Sequence, residues 1–124
     1  MSVVIDASVV LAWLQEEPGS DIAERHMVGG IIGAANWSEV LQKARQHGAR
    51  LGLVARLLTS FGLQVVDVTA DDGERAADLW AAGSILSLAD RLCLALGLRL
   101  GLAVVTTDRA WRSIAHGPKV IVAR

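Results

Sequence analysis

Cysteine occurs once, at Cys93, in this chain of 124 residues, which rules out an intrachain disulfide and a thiolate-rich zinc site. Three histidines, His26, His47 and His116, stand at no ligand spacing and read as scattered surface residues. Only two prolines are present and apolar types reach 52%, so the composition is that of a packed globule and not of a disordered tail. No run approaches the roughly 18 uncharged residues of a membrane helix, because the most apolar region, 86–107, is broken by Asp90, Arg91 and Arg99. The opening Met-Ser-Val-Val-Ile-Asp has no cationic lead into an apolar stretch, so no secretory signal is visible, and a cytoplasmic protein is expected. A net charge of −1 provides no basic excess to hold a phosphate backbone by bulk electrostatics. Any contact with nucleic acid has to be local.

The length fits one domain, residues 1–124, with no low-complexity linker and no internal repeat. Strands and helices alternate in the pattern. Val3-Val4-Ile5 is apolar at every position, as in a central strand covered on both faces. A helical pattern follows from Ser8 to the Glu16-Glu17-Pro18-Gly19 stop, and a second short helix covers Asp21 to Met27. Gly29 to Gly33 reads as a weak second strand, and Asn36 with Glu39 as a helix start in which Asn caps. Beyond a helix over 50–61, Gln64 to Val68 reads as a strand, and Thr69 with Asp72 opens a helix carrying Trp80 on its apolar face. Ser87 with Asp90 opens a buried helix that Gly101 ends; the strand Ala103 to Val105, a turn around Trp111 and a last strand, Lys119 to Val122, complete the order. Such alternation predicts an α/β fold, a three-layer α/β/α sandwich around a parallel sheet of about five strands.

Asp6 follows the first strand and Asp108 follows the strand Ala103 to Val105, so both fall at the carboxyl edge of such a sheet, where ligands bind. Glu39 and Asp90 fall in first turns of helices, whose starts gather at the same edge. Any one of these acids is explained by the helix dipole alone, worth roughly 0.3–1 kcal/mol. Convergence is another matter, since two carboxylates about 4 Å apart repel by roughly 4 kcal/mol at an effective dielectric near 20. An all-oxygen set without Cys or paired His suits Mg²⁺ or Mn²⁺, and such an ion among acids is the chemistry of phosphodiester hydrolysis. Ser8 and Thr107 flank the acids as possible hydrogen-bond donors.

Residues 1–39 carry six acids against Arg25, whereas 90–124 carry Arg91, Arg99, Arg109, Arg112, Lys119 and Arg124 against two acids, which sets an acidic region beside a basic one if the ends meet. Arg91, Arg109 and Arg112 adjoin the acids and are candidates to grip RNA phosphates, solvated surface arginine being the ordinary alternative. Trp13 and Trp80 are expected to pack, while Trp37 and Trp111 are divided between packing and base stacking.

The motifs Val-Ile-Asp6-Ala-Ser8, Asn36-Trp-Ser-Glu39-Val, Ser87-Leu-Ala-Asp90-Arg-Leu-Cys-Leu-Ala-Leu and Thr106-Thr-Asp108-Arg-Ala-Trp111, in this order, resemble the PIN-domain ribonucleases, specifically the VapC toxins of bacterial toxin–antitoxin pairs. The resemblance implies a Mg²⁺- or Mn²⁺-dependent endoribonuclease whose acidic quartet is Asp6, Glu39, Asp90 and Asp108, with Asp6 and Asp90 as principal metal ligands. It further implies a homodimer and a cognate VapB-type antitoxin whose C-terminal segment covers the site. Trp37, Ala89 and the glycine-rich 29–33 depart from the family pattern, which bears on the groove near Glu39. Two other readings are a non-catalytic module of the same fold that docks a partner, and a phosphoryl-transfer or receiver-type domain. The second is disfavoured because Asp67 lies inside its apolar run and Lys119 precedes its strand.

Overall fold

The computed structural model describes residues 2–114 and 116–123, so Arg124 of the basic end lies outside the described residues. Its elements are β1 (Val4–Ile5), α1 (Ala7–Leu14), α2 (Ser20–Met27), β2 (Ile31–Gly33), α3 (Ala34–Gln46), α4 (Leu51–Ser60), β3 (Gln64–Val66), α5 (Ala70–Asp78), α6 (Leu88–Leu100), β4 (Val104–Thr106), a 3₁₀ turn (Arg109–Ser113) and β5 (Val120–Val122). The strands pair in parallel in the order β3-β2-β1-β4-β5. The expected α/β architecture with a five-stranded parallel sheet is therefore the observed one.

β1 lies at the centre, and its neighbouring side chains point to opposite faces, which is why no polar residue interrupts it. Val4 joins Val104, Leu94, Leu96 and Trp111 in the core beneath α6. Ile5 joins Ile32 and Val105 in the other core, closed by Val9, Met27, Val40 and Leu58 from α1 to α4. α6 presses directly on β4 because Gly97 has no side chain: a Cβ there would lie 2.5 Å from Val104 Cγ2.

Two capping boxes fix the starts of α5 and α6, Thr69 with Asp72 and Ser87 with Asp90, each side chain bonding the other's backbone N–H. Asp72 does more than cap. Arg99 on α6 donates through Nε to Asp72 Oδ1 at 2.8 Å and through Nη2 to Oδ2 at 3.1 Å, clamping α5 to α6. Burial alone would push the Asp72 carboxyl up, but the bonds from Arg99 and Thr69 and the guanidinium charge outweigh it and hold it below the ordinary aspartate range. A group lowered on folding adds stability above its ordinary value and loses it as pH falls through the folded one. Asp72→Ala is expected to cost about 2 kcal/mol at neutral pH, from the broken capping box and the loss of both carboxylate bonds to Arg99, which keeps only the Asp67 carbonyl. Urea unfolding should show that difference shrinking in acid, and a pH-independent difference would contradict the ion-pair account.

Several sequence expectations shift. Helix α3 starts at Ala34, directly from the last strand residue Gly33, with no side-chain cap; Asn36 is inside the helix and Glu39 is in its second turn. The two alanines after Gly33 are strong helix formers, so the chain turns helical before the Asn signal is reached. The third strand ends at Val66, and Val68 is exposed. α5 ends at Asp78, leaving Trp80 beyond it and 63% exposed, not packed. Trp13, half-buried, packs edge-on against Phe61 at 5.1 Å, as expected of it. The acidic and basic ends form no ion pair among the described residues: Arg25 meets Asp21 and Arg99 meets Asp72. No described helix is long and apolar enough to cross a membrane.

Candidate active site

Parallel register decides what meets at the carboxyl edge. Ile5 pairs with Val105, so the next residue of each strand exit, Asp6 and Thr106, come side by side although they are far apart in sequence. Asp6 is the residue at which β1 becomes α1, and it is buried, with 5% exposure. Ser8 Oγ donates to Asp6 Oδ2 at 2.7 Å and Thr106 Oγ1 donates to the same oxygen at 3.1 Å. Each hydroxyl has a single proton, and both are used on Asp6. The same two oxygens then accept from the backbone, Ser8 Oγ from Thr107 N at 3.0 Å and Thr106 Oγ1 from Asp108 N at 3.1 Å. A closed net of hydroxyls thus joins the ends of β1 and β4 and holds Asp6 in one orientation.

Asp90 reaches the same edge from the first turn of α6, anchored by Ser87 N–H on its Oδ2 at 3.0 Å. Glu39 approaches from α3, half-buried, with the Asn36 amide 3.5 Å from its Oε1. Asp6 and Glu39 both feel the charge of Asp90. Burial, then the charge of Asp90, raise the Asp6 carboxyl above its ordinary range, and the bonds from Ser8, Thr106 and the Ala7 amide offset only part of this. Burial, then the charges of Asp6 and Asp90, likewise raise Glu39 against the opposing effects of Lys43 and Asn36. Cys93 lies beneath them, fully buried; its thiol is pushed well up by burial and then by Asp6, Asp90 and Glu39 together, which marks it as inert and the acids as sharing one locality.

The fourth predicted acid stands apart. Asp108 is exposed, caps the 3₁₀ turn through Ala110 N–H at 2.9 Å, and touches the others only through its backbone bond to Thr106. It lines a surface depression with Arg109, Thr107, Pro18, Gly19, Asp21 and Ile22. Among the described residues, no three or more His, Cys, Asp or Glu side chains close into a ready metal-holding group. What the fold brings together is a set of oxygen donors that repel one another, buried or half-buried, of the chemistry that suits a hard divalent cation.

Of the predicted arginines, Arg109 and Arg112 are exposed on the 3₁₀ turn, whereas Arg91 turns to α5 and donates to the Ala76 carbonyl at 2.8 Å. Trp111 is 2% exposed and belongs to the core, which removes it from base stacking. Two functional contributors were missed in the sequence. Thr107 was singled out where its neighbour Thr106 makes the side-chain bond to Asp6, and the pairing of 5 with 105 is the signal that would have found it. Asn36, a cap by its sequence pattern, is a buried amide inside α3.

A family model described as PIN domain matches residues 3–117. The comparison with curated proteins gives no match. Among solved structures, the chain is similar to a toxin-antitoxin complex from Klebsiella pneumoniae, with TM-score 0.78, 19% identity and 98% of each chain covered. It is similar to DNA-bound VapBC from Salmonella typhimurium, at TM-score 0.77 and 17% identity over 100% of this chain and 99% of that one. VapC20 of Mycobacterium tuberculosis, described as a sarcin-ricin loop cleaving toxin, matches at TM-score 0.72 and 15% identity over 91% and 96% of the two chains. At these identities the likeness is one of fold.

Proposed function

The chain belongs to the PIN-domain family, and from that premise we propose that it is an endoribonuclease dependent on Mg²⁺ or Mn²⁺, acting as the toxin of a toxin–antitoxin pair. The observation that carries this reading is the buried Asp6 at the end of the central strand, its carboxyl and that of Glu39 both raised by burial and by the charge of Asp90 beside them. A fold that only needed stability would not gather three acids there, because their repulsion weakens it. In this reading Asp6 and Asp90 hold the cation, and Glu39 and Asp108 complete its surroundings or orient the attacking water. A bound Mg²⁺ or Mn²⁺ supplies charge stabilisation to the phosphoryl oxygen and acidifies water.

The residues themselves divide the remaining work. Ser8 and Thr106 keep the Asp6 carboxylate aligned. Glu39 accepts the proton of the water whose oxygen bonds to phosphorus as the bond to the leaving ribose oxygen breaks, that oxygen taking its proton from solvent. Arg109 and Arg112 lie exposed next to Asp108, where they meet substrate phosphates; Arg91, with one nitrogen engaged by Ala76, has less of its side chain for that role. A VapB-type antitoxin is the proposed partner, by analogy with the complexes that share the fold. A homodimer is proposed as well, and Trp80, Ile85 and Leu88, all largely exposed near the start of α6, support a protein contact.

The test is digestion of a structured RNA by the purified chain. Cleavage is expected with added Mg²⁺ or Mn²⁺ and none with EDTA, and Asp90→Asn should be as inactive as the chelated sample. Cleavage that survives EDTA, or that Asp90→Asn retains in full, would defeat the proposal.

A further inference from the structure

Asn36 is 1% exposed, and its amide oxygen has no hydrogen-bond partner among the described residues. Both groups within reach of its NH₂ are acceptors, Glu39 Oε1 at 3.5 Å on its own helix and the Ala89 carbonyl at 3.3 Å on α6. That pair fixes the amide's orientation, since a flip would set its oxygen against two other oxygens. The oxygen faces Gly33, where a Cβ would sit in ordinary contact with it at 3.5 Å and would offer it no hydrogen-bond donor.

Stability does not account for this residue. A buried amide with an unmet oxygen is less favourable than an apolar side chain of the same shape. The Ala89 carbonyl also has a partner already in the regular helical bonding of α6. Placement does account for it. Ala89 immediately precedes Asp90, so one side chain touches both the Glu39 carboxylate and the backbone from which Asp90 projects. We propose that Asn36 is a positioning residue that ties Glu39 to the helix of Asp90 and thereby sets the separation of the two acids. This rests on the reading of those acids as holders of a divalent cation.

Mn²⁺ is the probe, titrated calorimetrically against the full chain, Asn36→Leu, Glu39→Gln and the double variant, with a thermal melt of each in the absence of metal. Asn36→Leu should melt no lower than the parent yet bind Mn²⁺ about tenfold more weakly, in the range of lost outer-shell partners. Because Asn36 acts through Glu39, adding Asn36→Leu to Glu39→Gln should weaken binding no further. Parent-like Mn²⁺ affinity in Asn36→Leu, with or without a lower melting temperature, overturns the proposal, and so does a double variant whose loss equals the product of the two single losses. If Asn36→Leu does not fold, Asn36→Ser, too short to reach Glu39, enters the same cycle with the same expectations. A parent chain that binds no Mn²⁺ sinks the metal reading and the positioning role with it; a parent that binds while Asn36→Leu binds equally sinks only the latter.

Discussion

Asp6→Asn should yield a chain that folds more stably than the parent and cuts no RNA. The amide keeps the volume and an oxygen for the Ser8 and Thr106 hydroxyls, so the net at the strand ends survives. The negative charge does not survive, and with it goes the most deeply buried of the acids proposed to hold the cation. Losing several kcal/mol of charge stabilisation at the reacting phosphate corresponds to a rate about a thousandfold lower or worse. Stability moves the other way because burial raises the Asp6 carboxyl in the folded chain. A carboxyl raised on folding opposes stability only once it ionises: the penalty is absent below the ordinary aspartate value, grows as pH rises toward the raised folded value, and is constant above it. The variant's advantage in urea unfolding should therefore open across that window and persist at neutral pH. An advantage already present in acid, or none at neutral pH, would show that the buried charge is not what the parent chain tolerates.

Trp111→Ala should be the most damaging single substitution for the fold. Its indole is 2% exposed and packs with Val4, Cys93, Leu94, Leu96 and Val104 beneath α6. Removing such a side chain costs about 3–5 kcal/mol, out of a total that in domains of this kind is about 5–15 kcal/mol. Denaturant titration should show the midpoint falling steeply, and Asp108, which caps the 3₁₀ turn that carries Trp111, should lose its fixed place. Trp80→Ala is the control. Exposed beyond the end of α5, it should change stability by less than about 0.5 kcal/mol. Equal effects at the two positions would mean that Trp111 is not the support the packing indicates.

Strands were legible where apolar runs had no alternation, as at Val4-Ile5 and Val104-Val105, because a strand covered on both faces has a composition no exposed segment shares. Capping signals were equally direct at Thr69 with Asp72 and Ser87 with Asp90. The same signal misled at Asn36 with Glu39, since a polar residue three positions before an acid recurs inside helices, and only the packing of α3 against α6 tells a cap from a buried amide. Asp6 and Asp90 could be gathered from the rule that strand ends and helix starts share an edge, whereas Glu39 reaches that edge from the second turn of α3, outside the rule. Asp108 could not be distinguished from them, because two residues separate it from the end of β4's pairing with β1 and the chain turns outward there. Trp80 and Trp111 illustrate the remaining limit: which aromatic is covered depends on where a helix stops, and helix ends are set by contacts across the molecule.

The central position of β1 ties the pocket to the order of protein synthesis. Asp6 precedes its neighbour Thr106 by 100 residues, and β4, the strand that flanks β1 on that side, is made after helices α1 to α6. Until β4 has been translated, β1 pairs only with β2, its other side stays open and the hydroxyl net lacks Thr106. Pairing between such distant segments is also slow to form. A nascent chain or a fragment that stops short of Val104 therefore carries Asp6, Glu39 and Asp90 without the pocket that assembles them.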